Sequence, residues 1–264
     1  MTTTPYTVTA PENRVDLLVQ DASARDTADL PLRLKALALQ AGSRVILRIA
    51  GGCSNQGPQD KKDLARVVVE GTLGFTGVAF SGGTRDIADG AVDPMVTELP
   101  ALMAQRNPGC VALGTVPRTG MLGLVGESRL ELDAEHHNVN PAMSAVCIVQ
   151  DGANRDLGWD GDLDMYFRFM TMLREEEGFT LGLIAWNGGG ATYKEIMQAG
   201  KLGLPVILIK GSARKTDEVV AKLEANDPEL LSQLPADHKL RIAHRDDPSS
   251  VRALMIEFDL IENG

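Results

Sequence analysis

Three short runs of this 264-residue chain join glycine to hydroxyl, amide or cationic side chains, each directly after an apolar stretch. They are Gly51-Gly52-Cys53-Ser54-Asn55, Ser81-Gly82-Gly83-Thr84-Arg85-Asp86 and Asn187-Gly188-Gly189-Gly190-Ala191-Thr192, with Glu195 one turn beyond the last. Paired glycines let the backbone turn sharply and approach a ligand with no Cβ in the way. Successive bare N–H groups in such a turn form an anion-binding nest, so the chemistry on offer is phosphate binding. Ser54, Ser81 and Thr84 add hydroxyls, and Arg85 adds a planar fork suited to phosphate or carboxylate. Each run also has a plainer reading. The first is then a strand-to-helix turn, and in the second Arg85 pairs with Asp86 or Asp89 on the surface.

The third run enters a helix, whose first turn carries unpaired N–H groups and the positive end of the dipole. Thr192 caps that helix or binds the phosphate. Glu195 is open to three roles: a general base, a partner for a ribose hydroxyl, or the acidic member of a capping box with Thr192. A fourth run, Lys210-Gly211-Ser212-Ala213-Arg214-Lys215, places Lys210, Ser212 and Arg214 as phosphate ligands or as a solvated basic turn. No Gly-Lys-Ser/Thr follows any of these loops and none reads G-x-G-x-x-G, which disfavours an ordinary ATPase or dehydrogenase.

The elements that must position these loops are legible from periodicity. Apolar runs at Val45–Ala50, Gly77–Phe80, Cys110–Leu113, Ala145–Val149, Leu181–Trp186, Leu204–Ile209 and Leu240–Ala243 read as strands. Helical spacing fills Asp63–Leu73, Met95–Ala104, Leu163–Glu176, Thr192–Lys201, Thr216–Glu224 and Ser249–Phe258. Only Arg48 interrupts the first apolar run. Near-continuous apolar strands alternating with helices predict a Rossmann-like, doubly wound and mostly parallel sheet with helices on both faces. Loops at the strand C-termini then share one edge, where ligands bind. The whole of 1–264 is read as one domain. Residues 1–40 form an N-terminal extension packed on it, with an edge strand at Arg14–Val19 and a helix at Leu30–Leu39. The segment Arg118–Pro141 shows no clear period and is read as a lid or a β-hairpin.

Composition narrows the function. With 26 basic and 36 acidic residues the net charge is −10, and no Lys/Arg-rich run offsets it, so nucleic acid is a poor partner. The 4% aromatic content also argues against base-stacking platforms. Cys53, Cys110 and Cys147 form no C-x-x-C pair, which fits a reducing compartment, buried structural thiols and neither zinc nor disulfides. The first ten residues lack the features of a signal peptide, and no run of about 18 apolar residues marks a membrane span. A cytoplasmic protein is expected, with homo-oligomerisation left open.

His136 and His137, with Glu131, Asp133 and Glu135, read as a flexible acidic loop rather than a metal site. Asp160, Asp162 and Asp164 read as helix-start acids favoured by the dipole. Trp186, beside the third loop, reads equally as an adenine stack or a core residue.

The Ser81-Gly82-Gly83-Thr84 turn and Gly188-Gly189-Gly190-Ala191-Thr192 with Glu195 resemble the two glycine signatures of the SLOG superfamily. From about Arg44 to Leu208 the chain is similar to its prokaryotic LSDAT branch, which is like the N-terminal domain of melastatin-type transient receptor potential channels. The resemblance implies a Rossmannoid pocket for a nucleotide-derived small molecule such as ADP-ribose, cyclic ADP-ribose or an NAD-related compound, held by a sensor or carrier with no cofactor. Gly51-Gly52, Ser81-Gly82-Gly83-Thr84 and Gly188-Gly189-Gly190-Ala191-Thr192 fall where that branch carries its binding loops. Together with the residue readings above, the expected ligand contacts are Gly51, Gly52, Ser54, Ser81, Gly82, Gly83, Thr84, Arg85, Gly188, Gly189, Gly190, Ala191, Thr192, Glu195, Lys210 and Ser212. The lonely-guy enzymes of that superfamily hydrolyse the glycosidic bond of nucleoside 5′-monophosphates, using the glutamate of a Pro-Gly-Gly-x-Gly-Thr-x-x-Glu signature. Thr192 and Glu195 match its end, whereas Asn187 replaces the proline and Ala191 the last glycine. The arginine those enzymes place before the motif has no clear counterpart, Arg174 being nearest. An N-glycosidase with Glu195 as the catalytic residue is thus the alternative function.

Overall fold

The computed structural model describes residues 6–9, 14–21, 32–52, 56–84, 95–117, 120, 140, 142–150 and 158–262. They form nine strands: β1 (Tyr6–Thr9), β2 (Arg14–Asp21), β3 (Val45–Gly52), β4 (Gly77–Ser81), β5 (Cys110–Pro117), β6 (Ala145–Gln150), β7 (Thr180–Asn187), β8 (Val206–Lys210) and β9 (Leu240–His244). The helices are α1 (Leu32–Gln40), α2 (Pro58–Gly71), α3 (Met95–Arg106), α4 (Gly158–Glu177), α5 (Gly190–Lys201), α6 (Arg214–Glu224), α7 (Pro228–Leu231) and α8 (Pro248–Glu257).

All nine strands share one sheet in the order β1-β2-β6-β5-β4-β3-β7-β8-β9. Every pairing is parallel except that of β1 with β2. The strands are apolar on both sides because both faces are covered. Val45–Ala50 shows why: Ile46 and Ala50 join the core under α4, α5 and α6, while Leu47 and Ile49 join the core under α2, α3 and α8.

The expected doubly wound class is therefore observed, with differences at its margins, among them β1 and α7, which periodicity does not mark. Arg14–Asp21 is not an edge strand, since β1 lies outside it and β6 inside. Helix α5 starts at Gly190 rather than at Thr192, because Gly189 already has extended N-cap geometry.

Topology creates the site. From β3 the chain winds outward through β4, β5 and β6, then returns to lay β7 on the other flank of β3. The connections after β3 and β7 thus part to opposite faces of the sheet and leave a crevice beyond the strand ends. The register sets Gly51 beside Trp186 and Gly52 beside Asn187 at the mouth of that crevice.

Candidate functional site

The β7–α5 turn is built by backbone constraint. Asn187 and Gly188 both have left-handed φ, 54° and 81°. A Cβ on Gly188 would lie 2.1 Å from Thr192 Oγ1, so only glycine fits there. Asn187 is tied to the next crossover: its N–H donates to Ser212 Oγ at 2.9 Å, and Thr216 Oγ1 donates to its carbonyl at 2.8 Å. The N-cap Gly189 has no side chain to cap α5. Gly190 and Ala191 are exposed and line the cavity, and among the described residues no side chain caps this first turn.

The same ties set Arg214 at the start of α6. Its guanidinium Nη1 lies 3.7 Å from the point a Cβ would occupy on Gly52, and Nη2 3.4 Å from that point on Gly189. It spans the two loops of the crevice. Among the described residues it makes no hydrogen bond or ion pair.

The β4 turn approaches from the other side. Ser81 Oγ donates to the Thr97 carbonyl at 2.9 Å, and Thr97 Oγ1 donates to the Thr84 carbonyl at 2.5 Å, which fastens the turn to α3. Gly83, with φ 70°, packs so closely on β5 that a Cβ would come within 2.9 Å of the Gly114 Cα. Between the three turns lies a cavity of about 460 Å³.

The cavity floor is polar and buried. Arg48 of β3 donates from Nε and Nη2 to Glu195 Oε1 of α5, at 3.0 and 2.8 Å. The Tyr166 hydroxyl of α4 donates to the same oxygen. The guanidinium lies over the Tyr166 ring, 4.1 Å from its centroid, and 5.1 Å from that of Phe80. Both charged side chains are under 10% exposed. Such a charge persists when buried only if paired, and here the surrounding groups hold the guanidinium above its ordinary pKa although burial opposes the charge. Burial raises the Tyr166 hydroxyl well above its usual value, which keeps it a donor.

Asp162 of α4 completes the wall. Burial pushes its carboxyl up to about 7; Arg48 and Thr115 pull the other way, and Glu195 adds to the rise. Its Oδ1 and Arg48 Nη1 are buried without hydrogen-bond partners among the described residues.

Of the residues expected to bind a ligand, Gly51, Gly52, Gly82, Thr84, Gly189, Gly190, Ala191, Thr192 and Glu195 line this cavity. Ser81, Gly83 and Gly188 sit behind it and shape the turns. Lys210 and Ser212 do not line it. Lys210 pairs with Glu224 on the surface, and Ser212 serves the Asn187 backbone. Ser54 and Arg85 lie outside the described residues, as do Cys53, Asn55, the His136–His137 loop and nearly all of the expected lid.

Two open readings are decided and one expectation is corrected. Glu195 is no capping-box acid, because α5 begins at Gly190 and its carboxylate serves Arg48 and Tyr166. Asp162 is a buried wall residue rather than a solvated helix-start acid. Trp186 is fully buried on the α2–α3–α8 side; the tryptophan at the cavity is Trp159, 51% exposed.

Sequence reasoning missed Arg48, Tyr166 and Asp162. The available signals were a lone arginine inside a buried strand, and Trp159, Asp162 and Tyr166 at helical spacing. Among the described residues no cluster of His, Cys, Asp or Glu could hold a metal, and no helix is long and apolar enough to cross a membrane.

The sequence matches no family model and no curated protein. Among solved structures it is similar to the molybdenum cofactor carrier protein of Chlamydomonas reinhardtii, at 14% identity and TM-score 0.46, over 82% of this chain and 98% of that one. It is also similar to the molybdenum cofactor binding protein of the phototrophic bacterium Rippkaea orientalis, at 20% identity and TM-score 0.46, with the same coverage.

Proposed function

We propose that the cavity binds a phosphate-bearing, nucleotide-derived small molecule of the ADP-ribose, cyclic ADP-ribose or NAD-related kind, and that the protein is a cytoplasmic sensor or carrier of it. The observation that carries this reading is the adjacent pair of anion receptors in one crevice. The uncapped first turn of α5 offers backbone N–H groups, and beside it the Arg214 guanidinium, without a partner among the described residues, lies against Gly52 and Gly189. The glycine signatures of a SLOG-type, LSDAT-like domain point the same way. Backbone donors bind an anion without net positive charge, which suits a chain of charge −10.

One observation favours hydrolysis as a second reading. Arg48 and Tyr166 both donate to Glu195 Oε1, while Oε2 accepts from no described residue and Glu195 lines the cavity. In that case Oε2 orients a water or stabilises an oxocarbenium-like ribose while Arg214 holds the 5′-phosphate.

The test is thermal denaturation with ADP-ribose, cyclic ADP-ribose, NAD and AMP. A ligand that binds only the native state raises the midpoint, by about 2.7 kcal/mol of stability at a hundredfold excess over Kd. Shifts lost in Arg214→Ala support the anion site, and no shift with any of the four rejects it. Release of free base from AMP, abolished in Glu195→Gln, would establish the enzyme; none after hours of incubation rejects it.

A further inference from the structure

We propose that the cavity takes up its anionic ligand together with one proton, carried on the Asp162 carboxyl. This rests on the anion-binding reading above and adds a regulation to it.

The argument begins with charge. The described cavity wall carries two cations, Arg48 and Arg214, and two carboxyls, Glu195 and Asp162. Arg48 and Glu195 neutralise one another through two hydrogen bonds. That leaves Arg214 to attract an anion and Asp162 to repel it. With Asp162 ionised the wall is neutral; with Asp162 protonated it carries one net positive charge. A buried like charge is poorly screened, so an arriving phosphate disfavours the ionised form and draws a proton onto the carboxyl.

Geometry makes Asp162 the group that yields. It is 2% exposed, on the α4 face that also carries Tyr166, and its Oδ1 has no hydrogen-bond partner among the described residues. Glu195, by contrast, is fixed as an acceptor by Arg48 and Tyr166. The groups facing Asp162 from packed elements are Arg48 on β3, Thr115 on β5 and Glu195 on α5. Strand β6 contributes the buried Cys147 thiol to the same core, and β7 has no ionisable side chain. On its own helix Tyr166 stays neutral, Asp160 is exposed and paired with Lys194, and Asp164 and Arg168 are exposed. Asp162 titrates near neutrality in the free protein, where a modest pH change switches its charge.

The experiment is calorimetric titration of ADP-ribose into the full chain between pH 6 and 8.5, in buffers of differing ionisation enthalpy. The diphosphate ester of this probe carries no proton that titrates in the range. The expected result is an affinity falling up to about tenfold per pH unit above 7, with close to one proton taken up. Asp162→Asn is expected to bind with one affinity throughout and no buffer-dependent heat. ADP-ribose binding of pH-independent affinity in the wild type overturns the proton linkage while leaving the anion site standing. No ADP-ribose binding at any pH overturns both. Should Asp162→Asn fail to fold, the wild-type proton count decides alone.

Discussion

Arg48 and Glu195, 147 positions apart, meet on a single carboxylate oxygen, with Nε at 3.0 Å and Nη2 at 2.8 Å. This contact ties β3 to α5 across the point where the winding of the sheet reverses. It fixes the α5 first turn relative to Gly51 and Gly52, and it directs the other carboxylate oxygen away from the clamp.

Breaking one half of this pair leaves the other charge buried without its hydrogen-bonded partner. Glu195→Ala is expected to cost about 3–5 kcal/mol of unfolding free energy in urea titrations. The double variant Arg48→Met/Glu195→Leu should recover most of that loss, since two apolar side chains bury no unpaired charge. A double variant no more stable than Glu195→Ala contradicts the pairing.

Two neighbouring glycines should behave oppositely. Gly188→Ala forces a left-handed residue against the Thr192 side chain and should destabilise by roughly 2 kcal/mol or more. A Cβ on Gly190 meets nothing within 4 Å, so Gly190→Ala should stay within about 0.5 kcal/mol of wild type. Chemical denaturation of both variants checks the contrast.

Asp162 gives stability a pH dependence of definite sign. Its folded pKa, about 7, exceeds the ordinary value of 3.8, so between those limits the folded protein holds a proton that the unfolded chain has released. Stability from this group therefore falls as pH rises from about 4 to 7 and is not regained above. Asp162→Asn removes the effect. Its stability relative to wild type should increase by about 4 kcal/mol between pH 4 and 8, at about 1.4 kcal/mol per pKa unit. A constant difference across that range refutes this.

Lys210 and Ser212, neighbours in sequence, are separated in role. Ser212→Ala leaves the buried Asn187 N–H without its acceptor and should cost about 1–3 kcal/mol. Lys210→Ala removes an exposed ion pair with Glu224 and should cost no more than about 1 kcal/mol. Neither side chain lines the cavity, so ADP-ribose titration of Lys210→Ala should match wild type.

The strands were legible because a parallel sheet covered on both faces demands near-continuous apolar runs, as at Ile46–Ala50 and Leu181–Trp186. The edge location of the glycine turns followed from that topology. The cavity floor was less legible because its members come from three distant elements. Arg48 registered only as an interruption, yet a charge in a strand buried on both faces requires a partner, and Glu195 lies one winding reversal away. Asp162 was misread because an acid in the first turns of a helix is usually solvated; only the packing of α4 on β5 shows that it is not. In sequence Trp186 reads equally as a ligand stack or a core residue, and alternation along β7 decides for the core, on the opposite face from α5.

The central claim is that bare peptide N–H groups of the α5 first turn and the Arg214 guanidinium grip a phosphate. Calorimetric titration of ADP-ribose into wild type and Gly190→Val tests it most directly, because a Cβ there meets nothing within 4 Å while the valine methyls would crowd the approach to those N–H groups. The account predicts at least tenfold weaker binding in Gly190→Val at an unchanged melting temperature. Equal affinity in the two proteins would contradict it.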